Sequence, residues 1–559
     1  MKTLTFIFPL FFLVSCGFAQ TNTIGVLQYD QIQTYNGYSL LFPTTATDTY
    51  LIDNCGREVH KWFGDKQPGQ VAFLLDNGNL VRTYTSNTPN ANFKQAGASD
   101  GVQTLDWDNN VLWDYTYSNS DYRMHHDIAY LPNGNVLILA WEKKSITDMT
   151  NAGINLSKIG ATQNDLWPEH IVEIQPTGLN TGNIVWQWHV WDHLIQDYSS
   201  SKSNYGNVAK HPELVDINYS IGTSDFLHIN AIDYNADKDQ IILSVHNFNE
   251  VWIIDHSTTT TQAAGHSGGN RLKGGDILYR WGNPAAYKKG NSSNQKFYGQ
   301  HDAHWIPQGL PDEGKIMIFN NGNNRPAGKY SSVEIINPPT DVNGNYKFNI
   351  STLYGPLTQE WIYTANPAKS LYSSNISGAQ RLANGNTLMC SGANGTITEV
   401  TATNEIVWKY IIPLANGVAL TQGQSPLING KYENMAFRCY KYGEDFLGFV
   451  GKTLTAGNYL ELNPDSSICD GIVAIIATDI NDHETKDEVK IYPNPTNDFL
   501  NVQLNKNTDG LYIVNSIGQT VYTNYNSSNM YSIDIRSLNR GIYFIKCLNS
   551  AAVKKIYVK

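Results

Sequence analysis

The 559 residues predict an all-β chain, and three observations carry that prediction. Aromatic residues reach 12% and charged residues only 16%, with Gly, Asn and Tyr abundant, a composition of short strands joined by tight turns. An Asn-Gly phrase recurs between apolar runs, as Leu75-Asp76-Asn77-Gly78-Asn79-Leu80, Leu131-Pro132-Asn133-Gly134-Asn135-Val136 and Leu382-Ala383-Asn384-Gly385-Asn386-Thr387. It is the strongest short hairpin signal, with both central positions expected at positive φ. A second, mostly Trp-bearing phrase occurs in six copies, at 58–62, 111–115, 184–188, 277–281, 360–363 and 406–410. Strand, turn, strand, connection, strand and this last strand make one four-stranded blade, so the repeat predicts a six-bladed β-propeller. Six such units bury both faces of each sheet against their neighbours.

The elements follow in chain order. Met1-Lys2 precedes an apolar stretch over 4–14, then Ser15, Cys16, Gly17, Phe18, Ala19 and Gln20. This reads as a secretory signal over 1–20, too short to span a bilayer. Cleavage near Ala19 or Gln20 is favoured over lipidation of Cys16, although Leu13-Val14-Ser15-Cys16 resembles a lipobox. The propeller takes 21–460. Its first copy, from Gly37-Tyr38-Ser39-Leu40, lacks an innermost strand of its own, and either 26–30 or 436–440 is expected to supply it. Degenerate turn phrases lie at 234–240 and 306–315. Residues 461–488, rich in Asp and small side chains, read as a linker before a final unit over 489–559. No later stretch is apolar for long enough to form a transmembrane helix.

The net charge of −11 is spread without basic clusters, which argues against a nucleic-acid partner. Cys55, Cys390, Cys439, Cys469 and Cys547 are scattered with no CxxC pair, so a zinc site is not expected, and an odd total leaves at least one free thiol unless chains pair.

In a propeller the innermost strands line the axis, so equivalent side chains converge however far apart they lie in sequence. Counting five residues back from the Leu or Ile before each turn reaches Gln70, His126, His301 and Ser377. The looser fourth blade offers His228 in Phe226-Leu227-His228-Ile229-Asn230-Ala231. Three histidines at equivalent positions in consecutive blades point to a site rather than to core filling. By alternation His125 should face away from the axis, as should His304 unless a bulge intervenes. A metal is disfavoured, since no carboxylate matches the inner positions of the other blades and Asp127 should alternate outward. No cofactor is expected. The cluster suits transfer of an anionic sulfuryl or phosphoryl group, in which one neutral imidazole is the nucleophile and others supply hydrogen bonds and protons.

At these residues the sequence resembles the arylsulfotransferase family over about 37–454. The sharpest parts are Leu227-His228-Ile229-Asn230-Ala231-Ile232-Asp233-Tyr234, Asp239-Gln240-Ile241-Ile242-Leu243-Ser244 and Gly299-Gln300-His301-Asp302-Ala303. The resemblance implies a six-bladed propeller and a ping-pong reaction, independent of nucleotide, from a phenolic sulfate donor to a phenol acceptor. It places the sulfurylated histidine at His301 and carries two further site histidines to His228 and His126. Where the family has an arginine this chain reads Val245-His246-Asn247, so His246 could replace that cation only when protonated. Asn230, Asn247, Ser377 and Gln70 are the expected substrate contacts.

The last segment is similar to the type A sorting domain of proteins exported by the type IX system, on Ile491-Tyr492-Pro493-Asn494-Pro495-Thr496, Gly541-Ile542-Tyr543-Phe544-Ile545-Lys546 and Lys555-Ile556-Tyr557-Val558-Lys559. That similarity implies a small β-sandwich, the type IX machinery as partner, and release or attachment at the cell surface. Two other readings of the propeller are a non-enzymatic module binding a glycan or protein, and a metal-dependent lyase or hydrolase.

Overall fold

The computed structural model describes residues 22–88, 90–160, 163–348, 353–469, 489–508, 510–515, 520–547 and 553–558. It contains two compact units, Met1–Asp465 and Ser466–Lys559. The expected signal over 1–20, with Cys16, and most of the expected linker lie outside the described residues.

Six main antiparallel sheets build the first unit. The first pairs Ala436–Gly443, Gly37–Pro43, Thr49–Ile52 and Glu58–Trp62; the second, Gln67–Leu74, Leu80–Thr85, Gly101–Leu105 and Val111–Thr116. The third holds Tyr122–Tyr130, Val136–Glu142, Glu169–Gly178 and Thr181–His189; the fourth, Ile229–Asn235, Gln240–Val245, Glu250–Asp255 and Tyr279–Trp281. The fifth holds His301–Trp305, Ile316–Asn320, Ser332–Ile336 and Trp361–Tyr363. The sixth holds Gly378–Arg381, Thr387–Ser391, Thr396–Val400 and Ile406–Ile411, with Gly25–Tyr29 added at its edge. Of the two segments proposed to complete the first sheet, the distant Ala436–Gly443 supplies its first strand, and Gly25–Tyr29 lies beside Ile406–Ile411 instead.

The hairpin turns differ from expectation in one respect. Only the glycines Gly78, Gly134 and Gly385 are left-handed, at φ 83°, 85° and 89°. The preceding asparagines act through their side chains: Asn77, Asn133 and Asn384 Oδ1 accept the N–H of the residue two positions on, at 3.0, 2.9 and 3.0 Å. Each copy therefore has Asn in an Asx arrangement and Gly alone meeting the left-handed requirement.

Middle strands are buried on both faces, which explains their unbroken apolar runs. Ile241 and Leu243 join one core cluster while Ile242 between them joins another, and Trp252 and Val251 divide the same way. Sheets are tied at both edges. At the outer edge, Trp62, Trp113, Trp188 and Trp281 each donate an indole N–H to a backbone carbonyl in a strand or adjoining loop of the next sheet, at Asp106, Thr181, Gly275 and Pro356. Trp408 of the sixth sheet donates to Asn54 O of the first at 2.8 Å. Arg381 of the sixth sheet covers the Trp361 ring of the fifth at 5.0 Å. At the inner edge, Asp127, Asp233 and Asp302 each accept the backbone N–H of the following sheet's first strand, from Ile232, Trp305 and Ala379 at 3.1, 2.9 and 2.9 Å. First strands touch in order from the first sheet to the sixth, and the sixth touches the first.

The second unit has a three-stranded sheet, Val489–Tyr492, Phe499–Thr508 and Ser528–Asp534, and a four-stranded one, Thr520–Asn524, Leu511–Asn515, Gly541–Cys547 and Val553–Val558. Leu500, Val502 and Ile533 from the one share a core with Ile513, Ile545 and Ile556 from the other. Cys390, Cys439 and Cys547 are buried free thiols.

Candidate active site

Four first strands bend at the inner edge, and those bends aim the histidines. His126, within Tyr122–Tyr130, is left-handed at φ 51°, and so is His228 just before Ile229–Asn235. Asp302 at φ 57° and Ser377 at φ 93° do the same in the fifth and sixth sheets. Left-handed backbone at a non-glycine residue costs on the order of 1 kcal/mol and concentrates at functional sites. Pairing registers shift beside His126, Asn230 and between His301 and His304, so each of these strands carries a bulge.

The bends bring four imidazoles from distant positions into one contact chain. Ring centroids are 4.5 Å apart for His126 and His228, 5.0 Å for His228 and His246, and 5.5 Å for His246 and His301. Phe437, on the distant strand that completes the first sheet, lies 6.1 Å from His126 and 6.4 Å from His301. His125 stacks on Trp141 at 3.9 Å, and its Nδ1 lies 2.8 Å from His126 Nδ1. His304 faces Asp302, 3.6 Å away, rather than these rings.

The hydrogen bonds of His301 define its tautomer. Its Nδ1 lies 2.8 Å from Asn321 Oδ1 and 3.2 Å from Gly299 O, both acceptors, so Nδ1 carries the proton. Its Nε2 is then the lone-pair nitrogen and accepts the Ile376 backbone N–H at 3.2 Å, a long contact. His228 Nδ1 lies 2.5 Å from Asp225 Oδ2, whose other oxygen accepts the Trp141 indole N–H at 2.9 Å. The carboxylate fixes the ring and leaves Nε2 free for proton transfer.

Burial is the main influence on the cluster's charge. Burial first, and then the neighbouring imidazoles, hold His126, His125 and His301 well below the ordinary histidine range. His246 is pushed down to about 4 by burial and then by His228, against the opposing Asn247. At neutral pH it is therefore an uncharged hydrogen-bonding group, not the cation that could stand in for the family arginine. Its Nδ1 donates to Asn247 Oδ1 at 2.9 Å, and Asn247 Nδ2 in turn donates to Asp225 O at 3.0 Å.

The other expected contacts separate. Asn230 is fully buried and donates to Gln300 O at 2.8 Å, beside His301, while among the described residues its Oδ1 has no hydrogen-bond partner. Ser377 is spent on structure: its hydroxyl donates to Ser373 Oγ at 2.8 Å and accepts the Gly392 N–H at 3.0 Å. Gln70 is half-buried, its backbone N–H bonded to Thr83 Oγ1 at 2.8 Å. Among the described residues no hydrogen bond joins its side chain to the histidines.

Asp127 does not alternate outward. The bulge at His126 turns it toward Arg438, a buried arginine next to Phe437. Arg438 Nη2 lies 2.8 Å from Asp127 Oδ2, and its Nε lies 2.8 Å from Asp302 Oδ1. Burial alone would raise Asp302, but Arg438 and His304 outweigh it and hold it at about 2. Sequence reasoning missed Arg438, Asp225 and Asn321. Only Asp225, three residues before His228, carried any signal.

Residues 490–559 match the secretion system C-terminal sorting domain, so the protein is exported through the type IX machinery to the cell surface or beyond. Among the described residues no helix is long and apolar enough to cross a membrane. Solved structures similar to the chain include a protein of unknown function from Bacteroides caccae (10% identity, 67% of this chain and 93% of that one, TM-score 0.36). A protein from Lactobacillus plantarum (9%, 89% and 99%, TM-score 0.34) and virginiamycin B lyase from Staphylococcus aureus (11%, 71% and 87%, TM-score 0.32) are also similar. No curated protein matches. Residues 76–411, more than half of the chain, match the model of Arylsulfotransferase (ASST), and the chain belongs to that family.

Proposed function

We propose that the six main sheets close into a six-bladed β-propeller whose hub moves a sulfuryl group from a phenolic sulfate ester to a phenol through a sulfohistidine at His301. Family membership supports aryl sulfotransferase activity in general. The observation that carries the finer reading is the contact chain of His126, His228, His246 and His301, with the proton of His301 fixed on Nδ1. Sheet-to-sheet ties that run from the sixth sheet back to the first support the closed ring.

In the first half-reaction His301 Nε2 attacks sulfur, the N–S bond forms, and the S–O bond to the aryl group breaks. The phenolate leaves and takes a proton from His228, which Asp225 orients and whose cationic form it stabilises. Asn321 Oδ1 holds the Nδ1 proton, so the sulfurylated ring keeps it and carries a positive charge against the negative sulfuryl group. The Ile376 N–H, displaced from Nε2, turns to a sulfuryl oxygen. In the second half-reaction a phenol gives its proton to His228, attacks sulfur, and restores neutral His301. The loose transition state spreads charge over three oxygens, which suits neutral donors such as His126 and the Ile376 amide.

Incubation with para-nitrophenyl sulfate and a phenol tests this reading. Acceptor-dependent nitrophenol release is expected, and His301→Ala should lower it by at least roughly a thousandfold, as loss of a covalent nucleophile does. Turnover unchanged in that variant would remove His301 as nucleophile.

A further inference from the structure

Three ligating side chains gather in the third sheet outside the hub, at Glu142, His170 and His189. Each comes from a different strand: Glu142 ends Val136–Glu142, while His170 and His189 face one another across Glu169–Gly178 and Thr181–His189. One ligand atom from each lies within 4.8 Å of the other two. Nitrogen and oxygen ligands about 2.1 Å from a metal stand roughly 3 to 3.5 Å apart, so modest side-chain rotation would close the set.

The state of His170 points to a missing ligand. The residue is 3% exposed, and its Nδ1 is buried with no hydrogen-bond partner among the described residues. Its Nε2 is held by the Tyr117 hydroxyl at 2.9 Å. Metal-bound imidazoles are oriented in this way, with the remote nitrogen hydrogen-bonded and the near one presented as a lone pair. Glu142 Oε1 is also buried without an aligned hydrogen bond, although His189 Nδ1 lies 3.2 Å away. A cleft of about 300 Å³ lined by Glu142, Lys144, His189, Trp191 and Asp192 reaches two of the three ligands and offers an entry path. Lys144 Nζ lies 2.9 Å from Glu142 Oε2, and this competing cation moderates affinity.

We propose that Glu142, His170 and His189 form a binding site for one divalent transition-metal ion, of the two-imidazole, one-carboxylate kind, with the remaining positions open to water from the cleft. The donor set suits zinc, copper or nickel better than calcium or magnesium. The ion would tie three strands at one end of the third sheet, independently of the sulfuryl chemistry at the hub.

The test is calorimetric titration of the chelator-treated full chain with Zn²⁺, alongside Co²⁺ absorption spectroscopy. One zinc per chain is expected, with a visible cobalt band of nitrogen and oxygen ligation. His189→Gln and Glu142→Gln, at partly exposed positions, should each weaken zinc at least about tenfold and abolish the cobalt band. His211→Gln, at an exposed histidine elsewhere, should bind as the wild type does. Unchanged far-ultraviolet circular dichroism of the variants separates ligand loss from misfolding. No saturable zinc binding, or variants that titrate like the wild type, would overturn the proposal.

Discussion

Both ring nitrogens of His301 are committed before substrate arrives, Nδ1 to Asn321 and Nε2 to the Ile376 amide. That ring is thus pre-aimed, whereas in the proposed reaction proton transfer falls to His228, whose Nδ1 is tied to Asp225. Asp225→Asn should lower kcat by roughly a hundredfold with KM little changed, because the amide can hold the wrong ring tautomer. An equal loss in KM alone would mean that Asp225 only shapes the binding surface. His246 gives a second prediction. Its proton affinity is held at about 4, below the unfolded value near 6.5, so the unfolded chain binds that proton first as pH falls. Stability from this group is present above pH 6.5 and lost on the way down to 4. Relative to His246→Gln, the wild type should lose roughly 3 kcal/mol over that window in urea unfolding, and a pH-independent difference would contradict it. His126 and His301 were legible by counting back from the turns and His228 from the looser fourth copy, since repeat register places equivalent residues together. Asn321 was not, because it leaves a strand for a loop whose path only the folded chain sets.

At the scale of the strand, the bulges decide which side chains meet. Simple alternation sends Asp127 outward, but the left-handed backbone at His126 reverses it and brings it to Arg438. One arginine on Ala436–Gly443 thereby joins the first sheet to Asp127 of the third and Asp302 of the fifth. Arg438→Met leaves two buried carboxylates without their cation and should cost about 3–5 kcal/mol by denaturant unfolding. Pairing it with Asp302→Asn should recover part of that loss, and a fully additive double variant would show that Arg438 and Asp302 are not coupled. A bulge is invisible in a periodic pattern, because it adds one residue without changing the composition around it. Gly97 shows how closely the loop above the site is fitted: at φ 85°, a Cβ there would fall 2.0 Å from the His126 ring.

Across the whole molecule, the repeated turn and Trp phrases announced six sheets, and every Trp-type phrase forms a last core strand. The strand that completes the first sheet was narrowed to two candidates and no further, since its partner lies almost four hundred residues away and nothing local encodes that pairing. The candidate site draws on the third, fourth and fifth sheets, with Phe437 and Arg438 contributed by the first. A site assembled from so many units exists only when they are held in register, which the indole and aspartate ties between sheets provide. The sulfohistidine is the claim on which this account depends most. Mass analysis of protein quenched after exposure to para-nitrophenyl sulfate without an acceptor should find one sulfuryl group, confined to the peptide bearing His301 and discharged by added phenol. An unmodified protein that still turns over, or a sulfuryl group on another residue, would contradict it.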